Sequence, residues 1–264
     1  MAAFSKQRGI TFPLLSDAGS ATIKAYGILN PIPEEALGPG KDDASVSRDV
    51  QKYVSVNRVN PVMVGMAFPG TFVIDRQRRV TSRFFEEVYI ERNTASSIML
   101  ELGVGGSVSG TRVSTAHLEA TAYSSDAAIA PGNRFTLALD VTPRPRMHVY
   151  APGASGYRVV SFDVEPQPFV RSLPTTYPLS QIYFFKPLNE RVPVFQKRFT
   201  LLKEVVVEGS PQAQAALRGK TSLTLRGTLS YQACDDQICF NPVSLPLAWD
   251  IALRPLVTER PTVQ

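Results

Sequence analysis

The chain has 264 residues, 44% hydrophobic and 19% charged, with a net charge of +5, which is the balance of a globular protein with enough apolar material for one large or two ordinary domains. Its basic residues are scattered, densest at Arg76, Arg78 and Arg79, so a solvated basic surface is expected rather than a nucleic-acid footprint. No apolar run approaches the roughly 18 residues of a membrane helix, so direct membrane insertion is not expected, and the opening MAAFSKQRGI lacks the apolar core of a signal peptide.

The first half mixes helix and strand signals and reads as α/β. In SDAGSATIKAYG, Ser20 offers a helix N-cap and Gly27 a stop. The polar stretch 31–61 reads as a surface insertion with one short helix around residues 47–53. PGTFVIDRQRRVTSRFF reads as a hairpin, with a strand over 71–74, a turn over 75–78 and a second strand over 80–85. ERNTASSIMLELG reads as a helix that closes this half at Gly103. GVGGSVSG follows, a Gly- and Ser-rich connector. The expected division is a domain over 1–103, a linker over 104–110, a second domain over 111–256 and a tail over 257–264.

Beyond the linker, period-2 alternation dominates. Phe135, Leu137, Leu139 and Val141 alternate with polar neighbours, as do Leu223, Leu225, Leu229 and Tyr231. Phe199, Leu201, Val205 and Val207 fall on one face, and Val243, Leu245, Leu247, Trp249, Ile251 and Leu253 repeat the pattern. Half-buried strands between turn residues predict an antiparallel β-sandwich of immunoglobulin type, with the lone Trp249 in its core.

Both cysteines lie in YQACDDQICF, as Cys234 and Cys239. A redox pair, a structural staple and two unrelated small hydrophobes all remain open. A four-residue loop between strand-like arms sets the two cysteines opposite each other at a Cα separation of about 4.5–5.5 Å, which suits a disulfide. The closed loop is too short to stabilise much as a staple. His117 and His148 show no ligand spacing, so no metal is expected, and both histidines read as ordinary surface or strand residues. Alternation puts Cys234 on the accessible polar side of its strand and Cys239 on the apolar side of the next. A bulge or bend at Phe240-Asn241-Pro242 is expected to break that phase. Asp235 and Asp236 disfavour thiolate, so such a pair suits a relay activated by a docked partner.

TLSYQACDDQICFNP resembles the Tyr-Gln-x-Cys…Cys-x-x-Pro hairpin of the N-terminal periplasmic domain of the thiol:disulfide interchange protein DsbD, and MHVYAPG and IYFFKPLNERVPVF resemble segments of its relatives. The resemblance runs over about 111–253. It implies an immunoglobulin-like fold with one redox-active disulfide, Cys239 attacking and Cys234 resolving. It also implies thioredoxin-like partners, a membrane electron donor, no cofactor and a periplasmic location. Phe184 and Phe185 match a cap over the disulfide, although Ile182 and Tyr183 stand where relatives carry acidic residues. Tyr231 of the hairpin motif would support the site. A non-catalytic β-sandwich binding module with a structural disulfide is the alternative.

FSKQRGITFPLLSD and AFPGTFVIDRQRRV resemble the C-terminal part of a thioredoxin-like redoxin of the AhpC/TSA type, with Pro69 matching that fold's cis proline near the active site. The resemblance makes the whole an α+β two-domain chain, a partial thioredoxin-like fragment followed by the β-sandwich. No cysteine precedes Cys234, so no thiol peroxidase activity is expected, for want of a nucleophile. A truncated redoxin–DsbD fusion is expected over a short product with a degenerate docking domain, because a half-sheet without its central strand leaves an unpaired edge.

Overall fold

The computed structural model describes residues 5–6, 9–38, 50–51, 61–85, 91–104, 110–185 and 189–255. The chain divides into the units Met1–Ile90 and Glu91–Gln264. Of the helix expected over 47–53 only Val50 and Gln51 are described, and both are helical. Most of the linker and the tail lie outside the described residues.

In the first unit, α1 (Ala21–Ala25) starts where expected, but Asp17 caps it. Its carboxylate accepts the N–H groups of Thr22 and Ile23 at 3.0 and 2.9 Å, while Ser20 donates instead to the Gly65 carbonyl at 2.6 Å. Gly27 ends the helix at φ 66°, a left-handed position that glycine adopts without a Cβ clash. A helix not expected from the sequence, α2 (Ile32–Leu37), occupies the start of the polar stretch with Pro33 in its first turn. The hairpin forms as expected from β1 (Gly70–Ile74) and β2 (Val80–Phe85). Asp75 holds the turn by accepting the Arg79 N–H at 2.8 Å, and Phe72 packs edge-on against Tyr26 and Phe85. Among the described residues this hairpin is the unit's one sheet, so a thioredoxin-like central sheet is not shown. Pro69 departs from its expected geometry, since no described peptide bond is cis. The Phe68 N–H bonds the Ile28 carbonyl at 2.8 Å and the chain runs straight into β1, with no tight turn to favour the cis form.

The second unit begins earlier than the expected boundary at Gly103. Here β3 (Arg92–Asn93) pairs in parallel with a strand of this unit, and the helix expected to close the first half, α3 (Ala95–Glu101), covers that same strand. Thr94 caps α3 by accepting the Ser97 N–H, and the Ser97 hydroxyl meets that of Thr136 at 2.7 Å. A buried hydroxyl contact of this kind has no signature in hydrophobic period, which is why the helix read as belonging upstream.

Thirteen further strands follow among the described residues: β4 (Thr111–Ser114), β5 (Leu118–Ser124), β6 (Ala128–Ile129), β7 (Asn133–Pro143), β8 (His148–Tyr150), β9 (Ser161–Val164), β10 (Val170–Thr176), β11 (Gln181–Phe185), β12 (Glu190–Phe195), β13 (Phe199–Val207), β14 (Ser222–Tyr231), β15 (Ala233–Cys234) and β16 (Val243–Leu253). One helix, α4 (Pro211–Leu217), lies between β13 and β14. The strands form three sheets, ordered β10-β13-β7-β5-β4 with β3 on β7, β6-β16-β14-β9, and β11-β12-β8-β15. Their alternating residues meet in one core: Leu137 and Leu201 from the first sheet, Leu229 and Trp249 from the second, Val149 and Phe195 from the third. The unit is thus mostly antiparallel β-structure, compatible with a β-sandwich. Trp249 is a core residue as expected, 4% exposed, with its indole N–H bonded to the Tyr123 carbonyl at 3.2 Å.

Gly227 interrupts the leucine series of β14, opposite Leu247 on β16 and Val164 on β9. A Cβ there would collide with the Asp163 carbonyl and crowd the Trp249 ring, so close strand approach requires glycine. Gly227→Ala is expected to lower the unfolding free energy by about 1–3 kcal/mol. Ser222→Ala, exposed at the strand's start, should change it by less than about 0.5 kcal/mol. Urea titration followed by Trp249 fluorescence checks both, and equal midpoints would contradict this packing.

Candidate functional site

The chain changes sheets at Gln232. β14 pairs with β16 up to Tyr231, whereas Ala233 and Cys234 pair with Val149 and His148 of β8 in the third sheet. The Gln232 side chain fixes this crossing. Its oxygen accepts the Arg158 N–H at 3.0 Å and its amide donates to the Phe240 carbonyl at 3.1 Å.

The crossing corrects the expected exposure of Cys234. Alternation along β14 placed it toward solvent, but a residue that has joined another sheet no longer obeys that strand's phase. Cys234 is 1% exposed and packs against Tyr150, Val192 and Val194. The four-residue loop forms as expected, setting Cys239 opposite Cys234 across an isolated bridge. The two are joined in a disulfide with Cα atoms 4.1 Å apart. Asp235 organises the loop by accepting the N–H groups of Gln237 and Ile238, both at 2.8 Å, which hold its carboxyl below the usual range. Cys239 is exposed. Asn241 and Pro242 lie outside any strand and β16 starts only at Val243, so the phase break expected there occurs. One sulfur is therefore buried and the other open.

Two residues of β8 neighbour Cys234, one at its sulfur and one across the strand pair, and sequence reasoning missed both. The Tyr150 hydroxyl lies 3.0 Å from Cys234 Sγ and 3.3 Å from Cys239 Sγ. Disulfide sulfurs carry no proton, so the phenol donates. Burial, reinforced by the neighbouring Tyr157, raises the Tyr150 pKa far above the ordinary phenol value, which makes it a persistent donor. Its ring stacks on Tyr157 at 4.0 Å, and Tyr157 in turn donates to Glu190 at 2.6 Å. His148, read from the sequence as an ordinary surface or strand residue, lies in a strand, where it is the cross-strand partner of Cys234 and 2% exposed. Burial lowers its pKa, against the opposing pull of Asp236 and Asp235, so the imidazole is neutral at pH 7.

The expected aromatic cover divides between the two faces of β11. Register pairs Tyr183 with Val192 and Tyr150 with Val194, so Tyr183 and Phe185 share the face of Tyr150, His148 and Cys234. Phe184 takes the opposite face, 44% exposed, with the Arg191 guanidinium 5.7 Å from its ring. Phe185 is half-buried, its ring 6.5 Å from that of Tyr183. Tyr183 is the residue that closes on the hairpin. Its ring lies 4.5 Å from that of His148 and its hydroxyl donates to Asp236 at 2.7 Å. That bond, with partial burial, pushes its phenol up to about 12. Tyr231 supports the sheet crossing from within the core, its hydroxyl 2.9 Å from that of Thr115. Pro69 belongs to the first unit. Among the described residues no group of three or more His, Cys, Asp or Glu side chains is placed to hold a metal ion.

No protein-family model matches the sequence, and no curated protein matches it significantly. Solved structures are similar to part of the chain, two of them as follows. The N-terminal periplasmic domain of ScsB from Proteus mirabilis is 12% identical with a TM-score of 0.40, covering 53% of this chain and 51% of that one. The N-terminal domain of Neisseria meningitidis DsbD in the reduced form is 11% identical with a TM-score of 0.29, covering 44% of this chain and 75% of that one. The chain thus spans about half the length of the ScsB domain. The roles of individual residues rest on the geometry above.

The buried imidazole carries a pH signature. Because the folded pKa of His148 is lowered, the unfolded chain binds its proton more readily below the ordinary value of about 6.5. The contribution of His148 to the stability of the second unit is therefore present above the ordinary imidazole value of about 6.5 and is lost progressively as pH falls below it. Denaturant titration across that window is expected to show a steeper loss for the natural chain than for His148→Gln. Parallel curves would contradict the burial of a neutral imidazole.

Proposed function

We propose that the chain is a thiol–disulfide exchange protein of the cell envelope, relaying electrons between protein partners through Cys234 and Cys239. The observation that carries this reading is the asymmetry of the pair. A partner thiolate can reach only Cys239 Sγ, and the group that departs is Cys234, beside a phenol that donates to it. Attack on Cys239 forms a mixed disulfide and breaks the Cys234–Cys239 bond, leaving Cys234 as thiolate. The O–H of Tyr150 stabilises that charge, a contact of the charge-assisted class worth about 1.5–3 kcal/mol. A second partner thiol then attacks the mixed disulfide and releases the Cys234–Cys239 dithiol, so two electrons have entered the chain. Reversal of these steps hands them on.

A disulfide that re-forms after each exchange fits an oxidising compartment, and the hairpin's likeness to the DsbD motif favours the periplasm. Among the described residues no helix is long and apolar enough to cross a membrane. The partners in this reading are thioredoxin-like proteins and a membrane electron donor. Ile238, 55% exposed beside Cys239, offers an apolar contact to a docking partner. The second unit is the immunoglobulin-like carrier of the disulfide. The first is a redoxin-like platform with no thiol of its own, so thiol peroxidase chemistry has no nucleophile in that unit.

The test is which sulfur reacts. After reduction, brief alkylation is expected to label Cys239 well before Cys234. Cys234→Ser should accumulate a mixed disulfide with glutathione, while Cys239→Ser should not. Equal labelling of the two thiols, or a disulfide that a reduced thioredoxin-like protein leaves intact, would overturn the proposal.

A further inference from the structure

In the resting disulfide neither sulfur carries a proton, but the reduced site must dispose of one. For Cys234 to close the disulfide again it must lose its thiol proton, and at 1% exposure water does not reach it to take that proton. Several groups face it. Tyr150 donates to the sulfur and its raised pKa makes it no acceptor. Val192 and Val194 from β12 are apolar. In the loop, Asp235 is engaged by the N–H groups of Gln237 and Ile238, and Asp236 by the Tyr183 hydroxyl. Glu190 is engaged by Tyr157, and the Arg146 guanidinium, which bears on Asp235, has no acceptor to offer. That leaves His148, directly across the strand pair from Cys234 and on the same sheet face. Side chains so placed have Cβ atoms about 4.5–5.5 Å apart. Its ring is held between Tyr150 and Tyr183, at 5.6 and 4.5 Å.

We propose that His148 is the proton acceptor for Cys234, taking its thiol proton as Cys234 attacks the mixed disulfide on Cys239. The inference rests on the exchange reading above. In this step the Cys234 Sγ–Cys239 Sγ bond forms and the bond from Cys239 Sγ to the partner sulfur breaks. The site's two thiols are oxidised by two electrons and the partner is reduced. The Cys234 proton passes to the imidazole and from there to the departing thiolate or to solvent. In the opposite direction the imidazole takes a proton from the entering partner thiol or from solvent and passes it to the Cys234 thiolate as the disulfide opens. The Tyr183–Asp236 hydrogen bond keeps an aromatic wall on the imidazole. Burial holds the imidazole neutral, the state in which it can accept a proton.

The test follows the second of two thiol events. The reduced full chain is mixed with a substoichiometric amount of Ellman's reagent. Cys239 displaces one thionitrobenzoate at once, and attack by Cys234 on the resulting mixed disulfide displaces the other. In the natural chain the second release should rise to a plateau above the imidazole's titration and stay flat to about pH 8. In His148→Gln it should be about a hundredfold slower at pH 7 and climb about tenfold per pH unit, as thiolate alone sets the rate. His148→Phe keeps a ring between Tyr150 and Tyr183 and should show the same loss, which separates proton transfer from packing. Variants with the natural rate and profile would overturn the role of His148 while leaving exchange intact. Absence of a second release in the natural chain would sink the exchange reading and this inference with it.

Discussion

Gln232 holds the crossing on which the site depends. A strand that continued beyond Tyr231 in its own sheet would keep the Cys234 side chain toward solvent. Its side chain instead ties Arg158 on one side to Phe240 on the other, and the next two residues join β8. That single change of sheet buries Cys234, brings Tyr150 onto both sulfurs and sets His148 opposite the buried one. The short loop then returns the chain so that Cys239 stays open. A disulfide with one hidden and one presented sulfur follows from backbone routing before any property of the thiols is considered.

The surroundings of the pair are aromatic. Phe185, Tyr183, His148, Tyr150 and Tyr157 form a continuous series of ring contacts across one sheet face. Hydroxyls near its two ends bond Asp236 and Glu190. Such a wall excludes water from Cys234, and exclusion strengthens every polar contact that remains there. It also makes an unpaired thiolate costly, which gives the Tyr150 donor its importance. The two loop aspartates are tied to backbone N–H groups and to Tyr183, so their charge is spent on holding the loop and the cover.

Much of this architecture was legible in the sequence, because period-2 burial is a local signal. The faces of β7, β13, β14 and β16, the core place of Trp249, the hairpin of β1 and β2 and the facing of Cys234 with Cys239 all follow from alternation and turn chemistry. What escaped depends on pairing between distant segments. The accessibility of Cys234 was misread because alternation assumes one sheet. The structure places α3 in the second unit through a hydroxyl contact to Thr136, which leaves no trace in hydrophobicity. His148 and Tyr150 sit two apart and share a face, but nothing local says that the face holds sulfur. Phe184 and Phe185 looked like one cover, and the pleat sends them to opposite sides.

The central claim is that the Cys234–Cys239 bond opens and closes in function, and its redox equilibrium in glutathione buffers, read by alkylation and mass, tests that most directly. The account predicts a potential above about −250 mV, within the range of exchange proteins. A potential below about −300 mV would mark a structural disulfide and would contradict the relay, leaving a β-sandwich binding module with an inert staple.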